Sequence, residues 1–255
     1  MDLYVTTVSF VGSRDVNEDN FLVDNKYEIA KRSNVCIGKA EKIKLKKKRL
    51  FAVSDGMGGL SNGDTASLTV IKGLYKYRKN LSADSSCWDK INKSLISFIR
   101  KKGAGCGATL SACELKKSAD GIIAHTYTIG DSPVYIYSGE DDEVRLVNVL
   151  DNSAGLSDEE MTEEERKKAK CVLHHFFGRE YDKNCIPIHE NEFEVKKGDV
   201  IVVASDGITT IDEAKICEII DSPKYTNLAL ALATSAIENS DEYCDNTTVI
   251  AIEVM

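Results

Sequence analysis

The stretch "LFAVSDGMGG", residues 50–59, decides the fold of this chain. Its apolar half predicts a buried strand, which ends abruptly at Ser54-Asp55-Gly56 and is followed by more glycine. The same pattern returns far downstream as "VIVVASDG", residues 200–207. Two buried strands that each end in Ser-Asp-Gly require a common explanation.

The composition fits one globular domain. The chain has 255 residues, 42% of them hydrophobic, which is enough to bury a sizeable core. It contains only 3 prolines, and no Pro/Gly/Ser-rich linker divides it. We therefore expect a single domain over residues 1–255. A net charge of −8 argues against nucleic acid as a partner.

The sequence also predicts a cytoplasmic location. No apolar run approaches the ~20 residues of a membrane span, and the N-terminus lacks the features of a signal peptide. The 8 cysteines show no CxxC pair and no zinc spacing with histidine. We expect these thiols to be reduced and mostly buried, and we expect no membrane partner.

One basic run interrupts the acidic background. It is "KAEKIKLKKKR", residues 39–49. Lysines commonly protect strand edges, so the run predicts a solvated hairpin with Ile43 and Leu45 facing inward. A docking surface for an acidic partner is the alternative.

Strand patterns occur in two blocks, and helical patterns follow each block. Strands are predicted at 3–11, 21–23, within 27–54, and at 108–115, 122–129, 133–138, 143–149, 191–195, 199–204 and 245–254. Helices are predicted from Asp64, from about Ser86, at 213–220 and at 225–239, and a charged helix or mobile flap at 157–170. A regular βαβ alternation is absent, so the layer rules favour an α+β fold with packed antiparallel sheets and helices outside.

Carboxylates recur at the ends of the predicted strands. A buried carboxylate is costly unless it is paired or bound to a metal ion. Arg14 is the only cation near the first group of acids, and no basic residue lies within four positions of Asp55 or Asp206. Divalent cations that prefer oxygen ligands, Mg²⁺ or Mn²⁺, would make this crowding tolerable. The acids concerned are Glu18, Asp19, Asp55, Asp131, Asp206 and Asp245.

Hairpin turns are the alternative explanation for Asp-Gly after a strand. For either Ser-Asp-Gly taken alone, a turn is the more economical interpretation. Repetition of the motif, together with "NED", "GDS" and "DN" at other strand edges, favours a shared metal site.

Six motifs in order give the chain a family resemblance. They are "RDVNEDN", "FAVSDGMGG", "CGATL", "YTIGDSPVYIY", "IVVASDGI" and "DNTTVIAI". This series resembles the metal-dependent serine/threonine phosphatases of type 2C, the PPM family, and "DGMGG" is more similar to the bacterial members. The resemblance implies a four-layer αββα sandwich with two central antiparallel sheets. It also implies hydrolysis of phosphoserine and phosphothreonine in proteins.

The resemblance further implies two Mn²⁺ or Mg²⁺ ions in a cleft at one end of the sandwich. Asp55 would bridge both ions, and the Gly56 carbonyl would bind one of them. Asp206 and Asp245 would complete the ligands of the other ion. A hydroxide that bridges the ions would attack phosphorus directly, without a phospho-enzyme.

Other residues take supporting roles in the same comparison. Glu18 and Asp19 would act mainly through metal-bound waters, and Asp131 with Asp206 resembles a pair that holds a third, weaker ion. Arg14 would clamp the phosphate with its planar guanidinium. A structural salt bridge from Arg14 to Glu18 or Asp19 is the alternative.

Three positions depart from the family pattern. Met57 follows Asp55-Gly56, where many animal relatives have a histidine proposed as general acid. Pro133 replaces an arginine that commonly follows "GDS". Asn152 stands where many members have a histidine, and His174 and His175 are expected on the surface or in packing.

The resemblance implies phosphorylated proteins as substrates and a cognate Ser/Thr kinase as counterpart. We expect a monomer. A pseudophosphatase that only binds phosphoproteins is one alternative, and a two-metal hydrolase of another phosphoester is the second. The second stays open because the predicted substrate surface lies in a variable flap at residues 151–185.

Overall fold

Two large antiparallel sheets and five helices make up the described part of the chain. The computed structural model describes residues 2–24, 26–29, 39–58, 62–79, 81–82, 86–119, 121–157, 161–182, 185–240 and 243–255. The helices are α1 (Gly63–Tyr77), α2 (Cys87–Lys102), α3 (Glu163–Lys170), α4 (Glu213–Asp221) and α5 (Leu228–Glu238). A short 3-10 helix covers Asp206–Thr210.

The strands divide between the two sheets without following chain order. They are β1 (Asp2–Phe10), β2 (Asn20–Val23), β3 (Lys26–Ile29), β4 (Lys39–Lys44), β5 (Lys48–Ser54), β6 (Gly56–Met57), β7 (Gly107–Ala108), β8 (Leu110–Lys117), β9 (Ile122–Ile129), β10 (Val134–Ser138), β11 (Glu143–Leu146), β12 (His189–Val195), β13 (Val200–Ala204) and β14 (Thr247–Val254). Sheet 1 has the order β11-β10-β13-β14-β1-β4, and sheet 2 has the order β12-β9-β8-β5-β2-β3. β6 pairs only with β7.

Three apolar layers hold the sandwich together. Alternate side chains of both sheets, such as Val5, Val53 and Ile201, meet between the sheets. The opposite face of sheet 2 packs against α1 and α2, with Trp88 fully buried there. The opposite face of sheet 1 packs against α4 and α5. Each fully buried large apolar side chain contributes about 1.5–3 kcal/mol. The predicted αββα architecture is confirmed.

Strand register brings the acid-bearing loops to one end of the sandwich. In sheet 2, the start of β2 is paired with the end of β5, through Asn20 and Ser54. In sheet 1, the end of β13 is paired with the start of β14, and the end of β1 meets the same strand at Thr247. In an antiparallel pair, the end of one strand lies beside the start of its neighbour. The loops that carry the acids therefore lie together at one end of the sandwich.

The expectation of a hairpin over the basic run is wrong. The basic run 39–49 is not a hairpin, because β4 pairs with β1 in sheet 1 whereas β5 belongs to sheet 2. Ile43 and Leu45 are buried as predicted, and β4 is the edge strand of its sheet.

The cysteines are less buried than predicted. Of the seven described, Cys87, Cys113 and Cys244 are buried, whereas Cys171 and Cys185 are exposed. None of these seven forms a disulfide bond. Cys36 lies outside the described residues.

The charged segment predicted at 157–170 contains α3. Thr162 caps this helix, because its hydroxyl accepts from the Glu165 backbone N–H while the Glu165 carboxylate accepts from Thr162. Residues 158–160 of the segment lie outside the described part. No helix in the described ranges has the length and apolar character needed to cross a membrane.

Candidate metal centre

Asp55 and Asp206 stand at the centre of the acid cluster. Asp55 follows β5, and Asp206 follows β13 and begins the 3-10 helix, so neither Ser-Asp-Gly forms a hairpin turn. Burial raises the pKa of the Asp55 carboxyl well above its ordinary value, and the charges of Asp19, Asp206 and Asp245 add to the effect. Burial likewise raises the pKa of Asp206, with Asp131 the largest charge contribution.

Two hydroxyl groups donate hydrogen bonds to the carboxylate of Asp19. Its Oδ2 accepts from Ser205 Oγ at 2.8 Å and from Thr248 Oγ1 at 2.6 Å. Its Oδ1 is buried and has no hydrogen-bond partner. Burial raises the pKa of Asp19 to about 7, although both hydroxyl bonds act in the opposite direction.

The serines of the two Ser-Asp-Gly motifs fix the loops that carry the acids. Ser54 Oγ donates to the Thr109 carbonyl at 2.6 Å, and the Asp55 N–H donates to Thr109 Oγ1 at 3.0 Å. Ser205 Oγ, besides holding Asp19, accepts from the Thr248 N–H at 2.9 Å. Sequence reasoning missed these supporting residues, although the serine precedes the acid in both motifs.

The glycines allow separate segments to approach closely. A Cβ at Gly56 would collide with the Gly63 carbonyl and lie 2.6 Å from the Glu18 carbonyl. A Cβ at Gly207 would collide with Thr247 Oγ1 and the Asn246 carbonyl. Any larger residue at either position would separate the loops that carry the acids.

Glu18 contacts the first residue of α1. Its Oε1 accepts from the Gly63 N–H at 3.0 Å. Burial raises the pKa of Glu18, and the Gly63 bond opposes this shift. Burial raises the pKa of the Cys106 thiol, and the charge of Glu18 adds to this shift. A thiolate is therefore disfavoured at Cys106.

Arg14 forms a forked salt bridge with Asp245. Its Nε lies 2.9 Å from Oδ1 and its terminal nitrogen 2.6 Å from Oδ2. The alternative prediction for Arg14 was a salt bridge to Glu18 or Asp19. In the structure its salt-bridge partner is Asp245. The guanidinium also lies over the ring of Tyr243, 5.7 Å from its centroid.

Asp131 lies at the turn after β9 and is nearly buried. Asn152 Nδ2 donates to its Oδ2 at 3.3 Å. Burial raises the pKa of Asp131, and the Asn152 bond opposes the shift. A cavity of about 920 Å³ opens beside Asp131 and Asp206. Its walls are the segment 148–155 with Arg166 on one side and the first turn of α4 on the other.

The donor set fits hard divalent cations. Buried oxygens without partners, Asp19 Oδ1 and Asp206 Oδ1, belong to carboxylates whose pKa values are raised by burial and by the charge of Asp245. In the part of the chain that the structure describes, the only side-chain cation paired with these acids is Arg14, on Asp245. Crowded carboxylates of this kind are stabilised by Mg²⁺ or Mn²⁺, which take oxygen ligands.

Comparison with solved structures identifies the fold. The S. agalactiae serine/threonine phosphatase has a TM-score of 0.77 and 20% identity, over 99% of this chain and 100% of that one. The PPM Ser-Thr phosphatase MsPP from Mycobacterium smegmatis, in complex with cacodylate, has a TM-score of 0.73 and 23% identity, over 98% of both chains. The catalytic domain of the serine/threonine protein phosphatase PstP, in complex with 2 manganese ions, has a TM-score of 0.73 and 22% identity, over 100% of both chains.

This chain therefore has the fold of the PPM Ser/Thr phosphatases, as the order of its motifs predicted. No protein-family model matches the sequence, and no curated protein matches it significantly.

Proposed function

We propose that this chain is a metal-dependent protein phosphatase that hydrolyses phosphoserine and phosphothreonine. The observation that carries the proposal is the pair of buried, unpartnered oxygens, Asp19 Oδ1 and Asp206 Oδ1, within a group of converging acids. Most buried polar atoms in native structures are hydrogen-bonded, so these two carboxylate oxygens need an explanation, and a bound cation among the converging acids supplies one. The fold shared with known phosphatases supports the same function.

The assigned ligands are Asp55, the Gly56 carbonyl, Asp206 and Asp245, with Glu18 and Asp19 acting through water and Asp131 available for a third ion. Two Mn²⁺ or Mg²⁺ ions would supply an activated water as nucleophile for direct attack and would neutralise charge on the phosphoryl oxygens. The protein's part is to hold Asp55 and Asp206 in place. Ser54, Ser205 and Thr109 do this through the hydrogen bonds described above.

Arg14 is assigned to the phosphate. Asp245 would hold a cation through the carboxylate that now pairs with Arg14, and the guanidinium would then be available to a phosphoryl group. Two parallel N–H donors match two phosphoryl oxygens as they match the two oxygens of Asp245.

Met57 and Cys106, the described residues near the cluster that could otherwise be considered, are not assigned as acid or nucleophile. Met57 has no proton to donate, so the leaving alkoxide takes its proton from water in the site. The raised pKa of Cys106 keeps its thiol protonated. Covalent catalysis by cysteine is therefore not part of the proposal.

The cavity beside Asp131 and Asp206 is assigned to the peptide that carries the phosphate. It is bounded by residues of the predicted flap, 151–185, including Arg166. The proposal also includes phosphoproteins as substrates, a cognate kinase, a monomeric chain and a cytoplasmic location.

Hydrolysis of a phosphothreonine peptide with and without Mn²⁺ tests the proposal. The chain should release phosphate when Mn²⁺ is added, and EDTA should abolish the release. Asp206→Asn should lose activity, whereas the matched control Asp15→Asn, an exposed acid in the same loop as Glu18, should keep it.

Two results would count against this function. Activity on p-nitrophenyl phosphate with none on phosphopeptides would favour a small phosphoester as substrate. Metal binding without any hydrolysis would favour a phosphoprotein-binding pseudophosphatase.

A further inference from the structure

Two histidines converge on one buried carboxylate outside the acid cluster. Asp151 is fully buried, and its Oδ1 lies 3.0 Å from His175 Nδ1 and 2.9 Å from His189 Nε2. The three potential ligand atoms all lie within 4.8 Å of one another. We call this group the His-Asp triad. None of its members was assigned a ligand role from the sequence.

The backbone fixes all three members of the triad. Asp151 exchanges two main-chain hydrogen bonds with its neighbours, donating to the Gly130 carbonyl at 2.9 Å and accepting from the His174 N–H at 2.8 Å. Its Oδ2 accepts from the Gly130 N–H at 2.9 Å, which leaves Oδ1 for the two rings. His189 is the first residue of β12 and is paired with Thr128 of β9. The ligand atoms are thus positioned before any ion binds, as in preformed metal sites.

Asp151 is a fully buried carboxylate whose side chain is contacted by two histidines. A buried carboxylate without a counter-charge is costly. Within the described ranges, no lysine or arginine forms an ion pair with Asp151, and its only ionisable partners are the two histidines. The ring nitrogens of histidine are common ligands of divalent metal ions, which they bind through a lone pair. A divalent ion uses those lone pairs and neutralises the carboxylate.

We propose that the His-Asp triad binds a divalent transition-metal ion of the zinc class. Two imidazole nitrogens and one carboxylate oxygen are the ligand set of three-ligand zinc sites, and the mixed nitrogen and oxygen donors disfavour Mg²⁺. The side chains of His175 and His189 are 36% and 34% exposed, so an ion can enter and water can complete its coordination.

Such an ion would join three separate parts of the fold. His175 belongs to the segment after α3, whose Phe177 forms a backbone bridge to Ala108. Asp151 is bonded to Gly130, which precedes Asp131 of the acid cluster. Occupancy of the triad would therefore tie the predicted flap to the sandwich beside the catalytic cleft.

Titration of the full chain with Co²⁺ or Zn²⁺ tests this assignment without measuring activity. Saturating Mg²⁺ is present throughout, so that the acid cluster is filled by its own class of cation. Zn²⁺ should bind at one equivalent per chain by calorimetry, and Co²⁺ should give the visible absorption of a nitrogen-ligated ion. The double variant His175→Gln/His189→Gln should bind at least about a hundredfold more weakly.

His174→Gln is the matched control. His174 is adjacent to His175, but its Nε2 lies 2.8 Å from Ser153 Oγ rather than near Asp151. This variant should bind Zn²⁺ as the parent chain does. Circular dichroism establishes that each variant is folded.

Two results would overturn the proposal. Absence of saturable Zn²⁺ binding in the folded parent would mean that the histidines only satisfy Asp151 by hydrogen bonds. Unchanged binding in the double variant would place the ion elsewhere, for example on the exposed thiols of Cys171 and Cys185.

Discussion

Buried acids occur in two contrasting settings in this molecule. Glu114, in the middle of β8, has a side chain only 1% exposed, and Lys48 and Lys116 lie 2.7 and 2.8 Å from its two oxygens. Asp19 and Asp206, at the end of the sandwich, each have a buried oxygen without a hydrogen-bond partner, as Glu114 Oε2 also has, but no lysine or arginine of the described residues forms an ion pair with either of them. The first acid is compensated by the fold itself, whereas the second group is compensated only if cations are added.

This difference separates structural acids from ligand acids. Burial alone does not distinguish them, because both groups are buried. What distinguishes them is whether the chain places a base within ion-pair distance. Lys48 also donates to the carbonyls of Arg78 and Lys79 at the end of α1, so the Glu114 group contributes to packing.

The largest expected effect is on catalysis. Asp55→Asn should lower the rate of phosphopeptide hydrolysis by about a thousandfold or more, because the charge that binds the ions is removed. Glu114→Gln should keep the parent rate within about twofold, because its carboxylate faces two lysines far from the cleft. Initial rates at saturating Mn²⁺ measure both. Similar losses of rate in the two variants would show that Asp55 and Glu114 do not differ in their role in hydrolysis.

Metal should stabilise the fold through the acid cluster. At a Mn²⁺ concentration about 100 times its Kd, the free energy of unfolding should rise by about 2.7 kcal/mol. Asp206→Asn should lose this increase, and Glu114→Gln should retain it. Thermal unfolding with Mn²⁺ and with EDTA measures the shift. An equal shift in Asp206→Asn would place the stabilising ion outside the cluster.

Removal of a charge should have opposite effects on stability in the two groups. In EDTA, Glu114→Gln should destabilise the chain by about 1–3 kcal/mol, because two lysines lose their partner. Asp206→Asn in EDTA should leave stability unchanged or higher, because repulsion among the carboxylates is relieved. Urea denaturation of both variants gives the comparison. Destabilisation of Asp206→Asn by as much as Glu114→Gln would show that the acid is structural.

The metal-free chain should also show a pH dependence of its stability, to which Asp19 contributes. The pKa of Asp19 is raised to about 7 from its ordinary 3.8, so between these values the folded state holds a proton that the unfolded state has released. Stability in EDTA should therefore fall as pH rises through this window, by at most about 1.4 kcal/mol per pH unit, and level off above it.

Asp19→Asn provides the control for that measurement. It should flatten the pH dependence, whereas Glu114→Gln should leave its slope unchanged. Urea denaturation at several pH values in EDTA measures the slope. A rise in stability over the same window in the parent chain would contradict the burial of an uncompensated carboxylate.

Sequence patterns predicted the strands and the acids well because both depend on local residue types. The apolar run before Asp55 and the one before Asp206 predict buried strands, and those strands are present. Pairing partners were harder to predict, since β4 and β5 are adjacent in the chain yet lie in different sheets. Long-range register determines such pairings, and no local pattern encodes it.

Supporting contacts escaped prediction for the same reason. Asp19 is held by Ser205 and Thr248, which lie more than a hundred residues away along the chain. The alternative to a phosphate clamp for Arg14 was a salt bridge to Glu18 or Asp19, but the meeting of β1 with β14 places Arg14 on Asp245. The His-Asp triad has no recognisable spacing, because its ligands come from three separate segments.

The central claim is that divalent cations occupy the space among Asp19, Asp55 and Asp206. Anomalous diffraction from crystals soaked in Mn²⁺ tests it most directly. Two manganese peaks are expected within roughly 2.5 Å of the Asp55 and Asp206 carboxylates or their bridging waters, with Arg14 displaced from Asp245. Crystals that show no manganese there, with the Arg14–Asp245 pair intact at saturating Mn²⁺, would contradict it.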